Sequence, residues 1–235
     1  MLLPATVLLL VLAVATLRIY SILSPRKRPP ARSRQAETCS LAVFLGSGGH
    51  SSEALSLMAS LDFSRYTPRT YIVSDGDPLS VEKATALELL KARTLSETLR
   101  GADSVGEYSI LIIPRARRVH QNLLTTPLTA LRSLLVSIYH ITVSPFLPPF
   151  GSRTPVFEVL IFNGPGTCFV LCLAAFLNRF LGLPSPRMIY IESFARVKSL
   201  SLTGKLLRPI VDSFVVQWPD VLADGRRGAY YGWLV

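Results

Sequence analysis

Gly46-Ser47-Gly48-Gly49-His50 lies between five consecutive apolar residues, Leu41–Leu45, and a helical spacing of Ala54, Leu55, Met58 and Leu61. Five apolar residues are too few for a globular helix and suit a strand buried on both faces. Glycines let the backbone turn tightly and approach a ligand closely. Strand, glycine loop and helix together aim free N–H groups and a partial positive charge at an anion. Taken alone, the stretch fits a plain turn as well as a phosphate cradle. A second unit of this kind follows. Residues 156–162 lead into Asn163-Gly164-Pro165-Gly166-Thr167 and then an apolar helical stretch over 168–181, with Thr167 placed to cap it. Two helix N-termini at one sheet edge suit a diphosphate better than one.

Other chemistry-bearing residues are placed to join them. A strand over 187–191 delivers Glu192 and Arg196 to the same edge, as an acid and a cation near the cleft or as a local salt bridge. Arg115, Arg117 and Arg118 follow the strand-like run 109–113 and Pro114, and add charge beside the loops. Asp75-Gly76-Asp77-Pro78 invites a metal or ribose reading. The preferred one makes Asp77 a helix cap with Pro78 at the first helical position. A dinucleotide fingerprint also fails at Ser51, where Gly or Ala is wanted for close helix packing.

The elements that must position these residues alternate along the chain. Strand-like runs fall at 40–45, 69–73, 109–113, 156–162, 187–191 and 213–217, and helical patterns at 50–61, 79–93, 127–143, 168–182 and 200–208. The pattern predicts an α/β domain, a Rossmann-like parallel sheet with helices on both faces and ligands at the carboxyl ends of the strands. Within 127–143, Leu128, Leu131, Leu135 and Ile138 share a face, with Leu124 just ahead. That face either packs on the core or lies in a membrane interface.

Composition sets the context. Apolar residues make up 49% of 235, mean hydropathy is +0.40, and the net charge is +10. Six of those positive charges (Arg18, Arg26, Lys27, Arg28, Arg32, Arg34) precede the first acid, Glu37, so the excess sits beside a greasy segment rather than on a nucleic-acid-binding face. That segment, 2–23, is broken only by Arg18, which can snorkel, and is long enough to cross a ~30 Å hydrocarbon core. Charge follows the apolar run instead of preceding it, which favours an uncleaved anchor over a signal peptide. The positive-inside rule puts the main body in the cytosol. No glycosylation sequon occurs, in agreement with that. The expected organisation is an anchor (1–23), a basic Pro-rich linker (24–38) able to touch anionic lipid, and one domain (39–235). Cys39, Cys168 and Cys172 form no disulfide framework, and the last two read as buried helix residues, not metal ligands. The tail carries Trp233, Leu234 and Val235, an apolar composition suited to docking.

The motifs 46–54, 163–168, 192–205 and Gln217-Trp218-Pro219, in that order behind an anchor, resemble the membrane-anchoring subunit family of the dolichol-pathway UDP-N-acetylglucosamine transferase. The departures are Ser51, Ser52 and Ala54, and a longer Pro-rich insert around 144–155. The family is similar to the N-terminal, acceptor-side half of GT-B glycosyltransferases such as the bacterial lipid II synthase. The resemblance implies a separate soluble catalytic subunit that brings the donor, and an endoplasmic reticulum membrane location, the nuclear membrane included, with the domain on the cytosolic face. It further implies a role in adding the second N-acetylglucosamine to GlcNAc-diphosphodolichol, and no transfer by this chain alone.

On that reading Gly46, Ser47, Gly48, Gly49, Asn163, Gly164, Gly166, Thr167, Arg115, Arg117, Arg118, Glu192 and Arg196 hold the acceptor's diphosphate and sugar. His50 or Glu53 serves as base, though His50 serves equally as a structural residue at a helix start. Trp233, Leu234 and Val235 meet the partner. No metal or cofactor is expected. Two alternatives remain: a membrane-tethered dinucleotide-dependent oxidoreductase, and a scaffold that only recruits the catalytic subunit.

Overall fold

The computed structural model describes residues 2–24, 38–98, 107–117, 121–122, 124–147, 156–164 and 166–235. The 25–37 tether and most of the Pro-rich insert lie outside them. Helix α1 (Leu2–Leu23) comes first, then β1 (Leu41–Leu45), α2 (Gly49–Ala59), β2 (Arg69–Ser74), α3 (Pro78–Thr98) and β3 (Tyr108–Ile113). These are followed by α4 (Thr126–Ile138), β4 (Val159–Asn163), α5 (Thr167–Leu181), β5 (Arg187–Ile191), α6 (Leu202–Leu207), β6 (Ser213–Val216) and β7 (Ala229–Tyr230). All strands are parallel, in the order β3-β2-β1-β4-β5-β6-β7. The expected strands and helices are all present. The two-residue β7 was not anticipated, because it is too short to carry a periodic signal.

Every residue of β1 is buried because both faces of the sheet are covered. Leu41, Val43 and Leu45 pack with Ala54, Leu55 and Met58 of α2 and Ala84 of α3. Ala42 and Phe44 face the other way, into a core with Leu171, Cys172 and Ala175 of α5 and Leu207 of α6. Period-two alternation thus sends alternate residues of one apolar run into two separate layers. Both α5 cysteines are fully buried, and burial pushes the Cys172 thiol up to about 12. They are core residues, as expected.

Helix α4 packs Leu134, Val136 and Ile138 against the core but leaves a second apolar stripe uncovered. Its core side carries buried Ser133 and Ser137, whose hydroxyls donate to the carbonyls of Pro114 (2.7 Å) and Ser133 (2.8 Å). Leu128, Leu131 and Leu135 point outward, Leu128 with 74% of its surface exposed. Of the two readings of this face, packing on the core is excluded for these leucines; Ile138 alone of the four packs against the core. The expected single helix 127–143 also changes geometry, running from α4 into a π-turn over Tyr139–Val143 and a 3-10 turn over Ser144–Phe146.

Helix α1 is long and apolar enough to cross a membrane, and only 6% of its window Thr6–Leu23 is buried. Arg18, expected to snorkel, instead donates to the carbonyls of Phe180 (3.0 Å) and Arg179 (3.1 Å) at the end of α5. Those carbonyls lie in the last turn of α5, at the negative end of the helix dipole, and the Arg179 carbonyl also accepts from the Gly182 N–H at 3.2 Å.

Deep in the sheet, Arg69 and Glu88 form a fully buried bidentate pair at 2.8 and 2.9 Å that also receives the Tyr71 hydroxyl. Removing one partner leaves an uncompensated buried charge. Arg69→Met is therefore expected to cost about 3–5 kcal/mol, read as a lowered unfolding temperature of the full chain. An unchanged melting curve would refute the role given to this pair.

Candidate functional site

Strands β1 and β4 are neighbours, yet the helices that follow them, α2 and α5, leave to opposite faces. This is the topological switch point of the sheet, where a doubly wound fold opens a crevice at its carboxyl edge. Both glycine corners sit there. They also touch: Gly164 has φ +137°, and a Cβ on it would stand 3.3 Å from the Cα of Gly46. Gly48 has φ +57° with ψ −128°, a conformation essentially reserved to glycine, and Ser47 is left-handed at φ 65°. At Gly49 and Gly166, by contrast, an added Cβ meets nothing within 4 Å.

Neither helix start is capped by a side chain. Gly48 precedes α2 and Gly166 precedes α5, so their first-turn N–H groups, apart from that of Phe169, which donates to the Gly166 carbonyl at 3.1 Å, face outward without a side-chain acceptor. The Thr167 hydroxyl, expected to cap α5, instead accepts from the Ala116 backbone N–H at 3.2 Å and ties the β3 loop to the cleft. Thr167 is the first helical residue, one position too late to be a cap.

The crevice consists of two cavities. One of about 650 Å³ is lined by Gly46, Ser47, Gly166, Thr167, Arg115 and Arg117. The other, about 380 Å³, is lined by His50, Gly164, Glu192 and Arg196. Leu202 and Thr203 of α6 line both. Arg115 is steadied by the carbonyls of Asp75 (3.1 Å) and Gly76 (3.4 Å), and Arg117 by that of Gln121 (3.3 Å). Arg118 lies outside the described residues. Arg196 is exposed and forms no ion pair with Glu192, so the salt-bridge reading of these two does not hold.

Glu192 is buried and fully engaged. Its carboxylate accepts from the Ser201 N–H and hydroxyl (both 3.1 Å), the Ser193 N–H (3.2 Å) and the Tyr190 hydroxyl (3.4 Å). Burial and the neighbouring carboxylate push the Tyr190 phenol well above its ordinary range. Ser201 in turn caps α6 by accepting from the Gly204 N–H at 2.9 Å. The α6 residues that line the cleft therefore hang on Glu192. Ser201, Leu202 and Thr203 belong to the 192–205 motif but were not expected in the site; the Ser-x-x-Gly spacing of a short capped turn was the signal available.

His50, Asn163 and Glu53 form a relay. The Asn163 amide nitrogen donates to Glu53 Oε2 at 2.9 Å, which turns its oxygen toward His50 Nδ1 at 3.1 Å. That oxygen only accepts, so the network assigns the proton to Nδ1 and leaves a lone pair on Nε2. Glu53 also accepts from the Ser193 hydroxyl (2.8 Å) and the Phe194 N–H (3.4 Å), so both its oxygens are occupied.

Asp77 behaves as the expected cap, accepting from the Ser80 N–H and hydroxyl with Pro78 opening α3. No cluster of potential metal ligands occurs among the described residues. Trp233 lies outside the cavities and packs with Phe194 and Trp218 at centroid distances of 6.0 and 5.4 Å. The Leu234 N–H donates to Gln217 at 3.2 Å. The tail docks on its own chain and keeps Trp233 65% exposed.

These features define a class: a doubly wound α/β domain with two uncapped helix N-termini at its switch point, joined to a helix able to cross a membrane. The chain belongs to the family of Alg14-like oligosaccharide biosynthesis proteins, whose profile matches residues 41–234. It is 45% identical over 226 residues to the UDP-N-acetylglucosamine transferase subunit ALG14 of Cryptococcus neoformans, covering 96% of this chain and 93% of that one. Proteins of the same name match from Schizosaccharomyces pombe (46% identity; 82% and 81% covered) and Homo sapiens (34%; 93% and 91%). Among solved structures, MurG of Acinetobacter baumannii aligns with a TM-score of 0.47 at 13% identity, over 78% of this chain and 43% of that one. The relatives' shared name gives the oxidoreductase alternative no support.

Alanine at Gly204 would drive its Cβ into the Glu192 carboxylate. Gly204→Ala is expected to cost about 1–3 kcal/mol, lowering the melting temperature by several degrees. A wild-type melt would show that α6 does not depend on Glu192.

Proposed function

We propose that this chain is the membrane-bound, acceptor-holding subunit of an N-acetylglucosaminyltransferase that adds the second sugar to GlcNAc-diphosphodolichol. The observation that carries the reading is the pair of uncapped helix N-termini at one switch point, beside Arg115, Arg117 and Arg196. Two N-termini and three cations suit a diphosphate. The names of the relatives supply the sugar and the subunit status.

The proposed organisation is an anchor over 1–23, a basic linker over 24–38 and the acceptor domain over 39–235, on the cytosolic face of the endoplasmic reticulum. Helix α4 lines the Arg117 cavity through Thr126 and Ala130, and its outward leucines dip into the interface where a lipid-linked acceptor resides. The diphosphate rests on the loops at 46–49 and 163–167, with Arg118 of the same basic loop nearby in sequence. A soluble partner brings UDP-N-acetylglucosamine across the cleft. It is met by the exposed Trp233 surface, including Leu234 and Val235.

In the transfer step the acceptor 4-hydroxyl oxygen bonds to C1 of the donor sugar as the C1–O bond to UDP breaks, inverting that centre. The hydroxyl proton passes to Nε2 of His50. Asn163 and Glu53 position the imidazole and hold its Nδ1–H tautomer, which makes Glu53 an orienting group instead of the base.

The decisive experiment is co-purification of the tagged full chain from membranes, with transferase assays of the chain alone and of the complex. Activity is expected only in the complex, and deletion of residues 233–235 should release the partner from membranes. A Cβ at Gly49 or Gly166 meets nothing within 4 Å, and Gly49→Trp and Gly166→Trp should abolish transfer with the partner still bound. Full activity in both would leave only the recruiting scaffold. His50→Ala should lower kcat about 10²–10⁴-fold with the acceptor KM little changed. A kcat within twofold of wild type would remove His50 as the base.

A further inference from the structure

A cavity of about 770 Å³ lies at the opposite edge of the sheet from the glycine corners, where β5 and β6 begin. The end of α1 forms one wall of it through Ile22, Leu23 and Ser24, and Ile22 is buried there. Arg179, Arg187 and Arg227 line the remainder together with a single acid, Asp212. That acid is already neutralised: Arg179 grips both its oxygens at 3.0 and 2.7 Å, and the Met188 N–H donates to it at 2.8 Å. Two cations remain. Arg187 is exposed, and its guanidinium has no hydrogen bond or ion pair among the described residues. Arg227 is held by two backbone carbonyls, of Pro209 and Asp212, and neither cancels its charge.

We infer that this cavity binds the headgroup of an anionic phospholipid. The inference rests on the membrane reading of α1 and is independent of the sugar-transfer reading. The last turn of a spanning helix of this length sits at headgroup depth, whichever way the chain is oriented. An anionic headgroup brings a phosphate for Arg187 and Arg227, while Ile22 and Leu23 face its acyl side. Arg18, clasping the end of α5, keeps the α1 wall in place, so the cavity is built from two elements locked together. The basic residues that follow Ser24 in the sequence, Arg26, Lys27 and Arg28, enrich the same lipids nearby.

The test titrates short-chain phosphatidylserine, phosphatidic acid or phosphatidylcholine into full-length protein in a neutral detergent and follows the unfolding temperature. Inorganic phosphate is a separate arm. The two anionic lipids should raise the temperature and phosphatidylcholine should not. Exposed Arg187→Gln alone should weaken binding about fivefold, and Arg187→Gln with Arg227→Gln about thirtyfold. The paired Arg→Lys variant should retain most of the binding. Gln in place of Arg26, Lys27 and Arg28 should leave the shift standing. Equal stabilisation by phosphatidylcholine, an undiminished shift in Arg187→Gln, or a shift lost with the tether charges would overturn the inference. A shift of the same size with inorganic phosphate would make this a free-anion site and overturn the lipid assignment. Alkaline carbonate extraction of the same variants reads anchoring separately, and no readout depends on sugar transfer.

Discussion

The turn after β4 meets the turn after β1 so closely that a Cβ on Gly164 would stand 3.3 Å from the Gly46 Cα, at a φ of +137° that side chains rarely adopt. Gly164 abuts the Gly46 backbone, and that contact sets the distance between the two helix starts. Were either corner wider, the N-termini of α2 and α5 would diverge and no single anion could face both. The approach depends on β1 and β4 being hydrogen-bonded neighbours in register, Leu45 beside Asn163. The same register puts Asn163 within reach of both His50 and Glu53. Backbone pairing in the centre of the sheet therefore fixes the helix dipoles and the side-chain relay of the crevice together.

Around that constraint the carboxylates divide their work. Glu192 is spent on internal donors and holds α6 over the cleft; Glu53 is spent on Asn163, Ser193 and Phe194. Both are occupied by internal donors, and Arg115, Arg117 and Arg196 supply the accessible charge of the lining. A crevice with its acids internally satisfied and its cations accessible favours an anion. The loop carrying Ser193 and Phe194 also reaches the aromatic cluster of Trp218 and Trp233, where Trp218 Nε1 donates to the Phe194 carbonyl at 2.7 Å. Whatever docks on the exposed tail thus rests on the segment that steadies the His50 relay.

The apolar surface has an order of its own. Helix α4 packs Ser133, Ser137, Leu134, Val136 and Ile138 on the core side and leaves Leu128, Leu131 and Leu135 exposed on the other. Helix α1 is exposed nearly throughout and is held to the domain through Arg18 and Ile22. Exposed apolar surface of this extent is not stable in water alone. It suits a bilayer, which also explains why a chain of mean hydropathy +0.40 can have an ordinary α/β interior.

The sequence by itself determined the elements and their kind. Alternating apolar runs and helical spacings are local properties, and they marked every strand but the two-residue β7. The glycine corners, the apolar N-terminal helix and the cap at Asp77 were legible for the same reason. The strand order was not, because pairing joins residues far apart in the chain, and so neither was the switch point. Helical spacing showed that Leu128, Leu131 and Leu135 share a face but not which way it turns. That depended on Ser133 finding the Pro114 carbonyl and on Leu134, Val136 and Ile138 finding the core. Thr167 looked like a cap until the fold brought the Ala116 N–H to its hydroxyl, and Arg18 looked like a snorkelling residue until the end of α5 arrived beside it. The acceptor for Ser133, the donor for Thr167 and the acceptors for Arg18 each come from another segment, and only tertiary structure decides which segment that is.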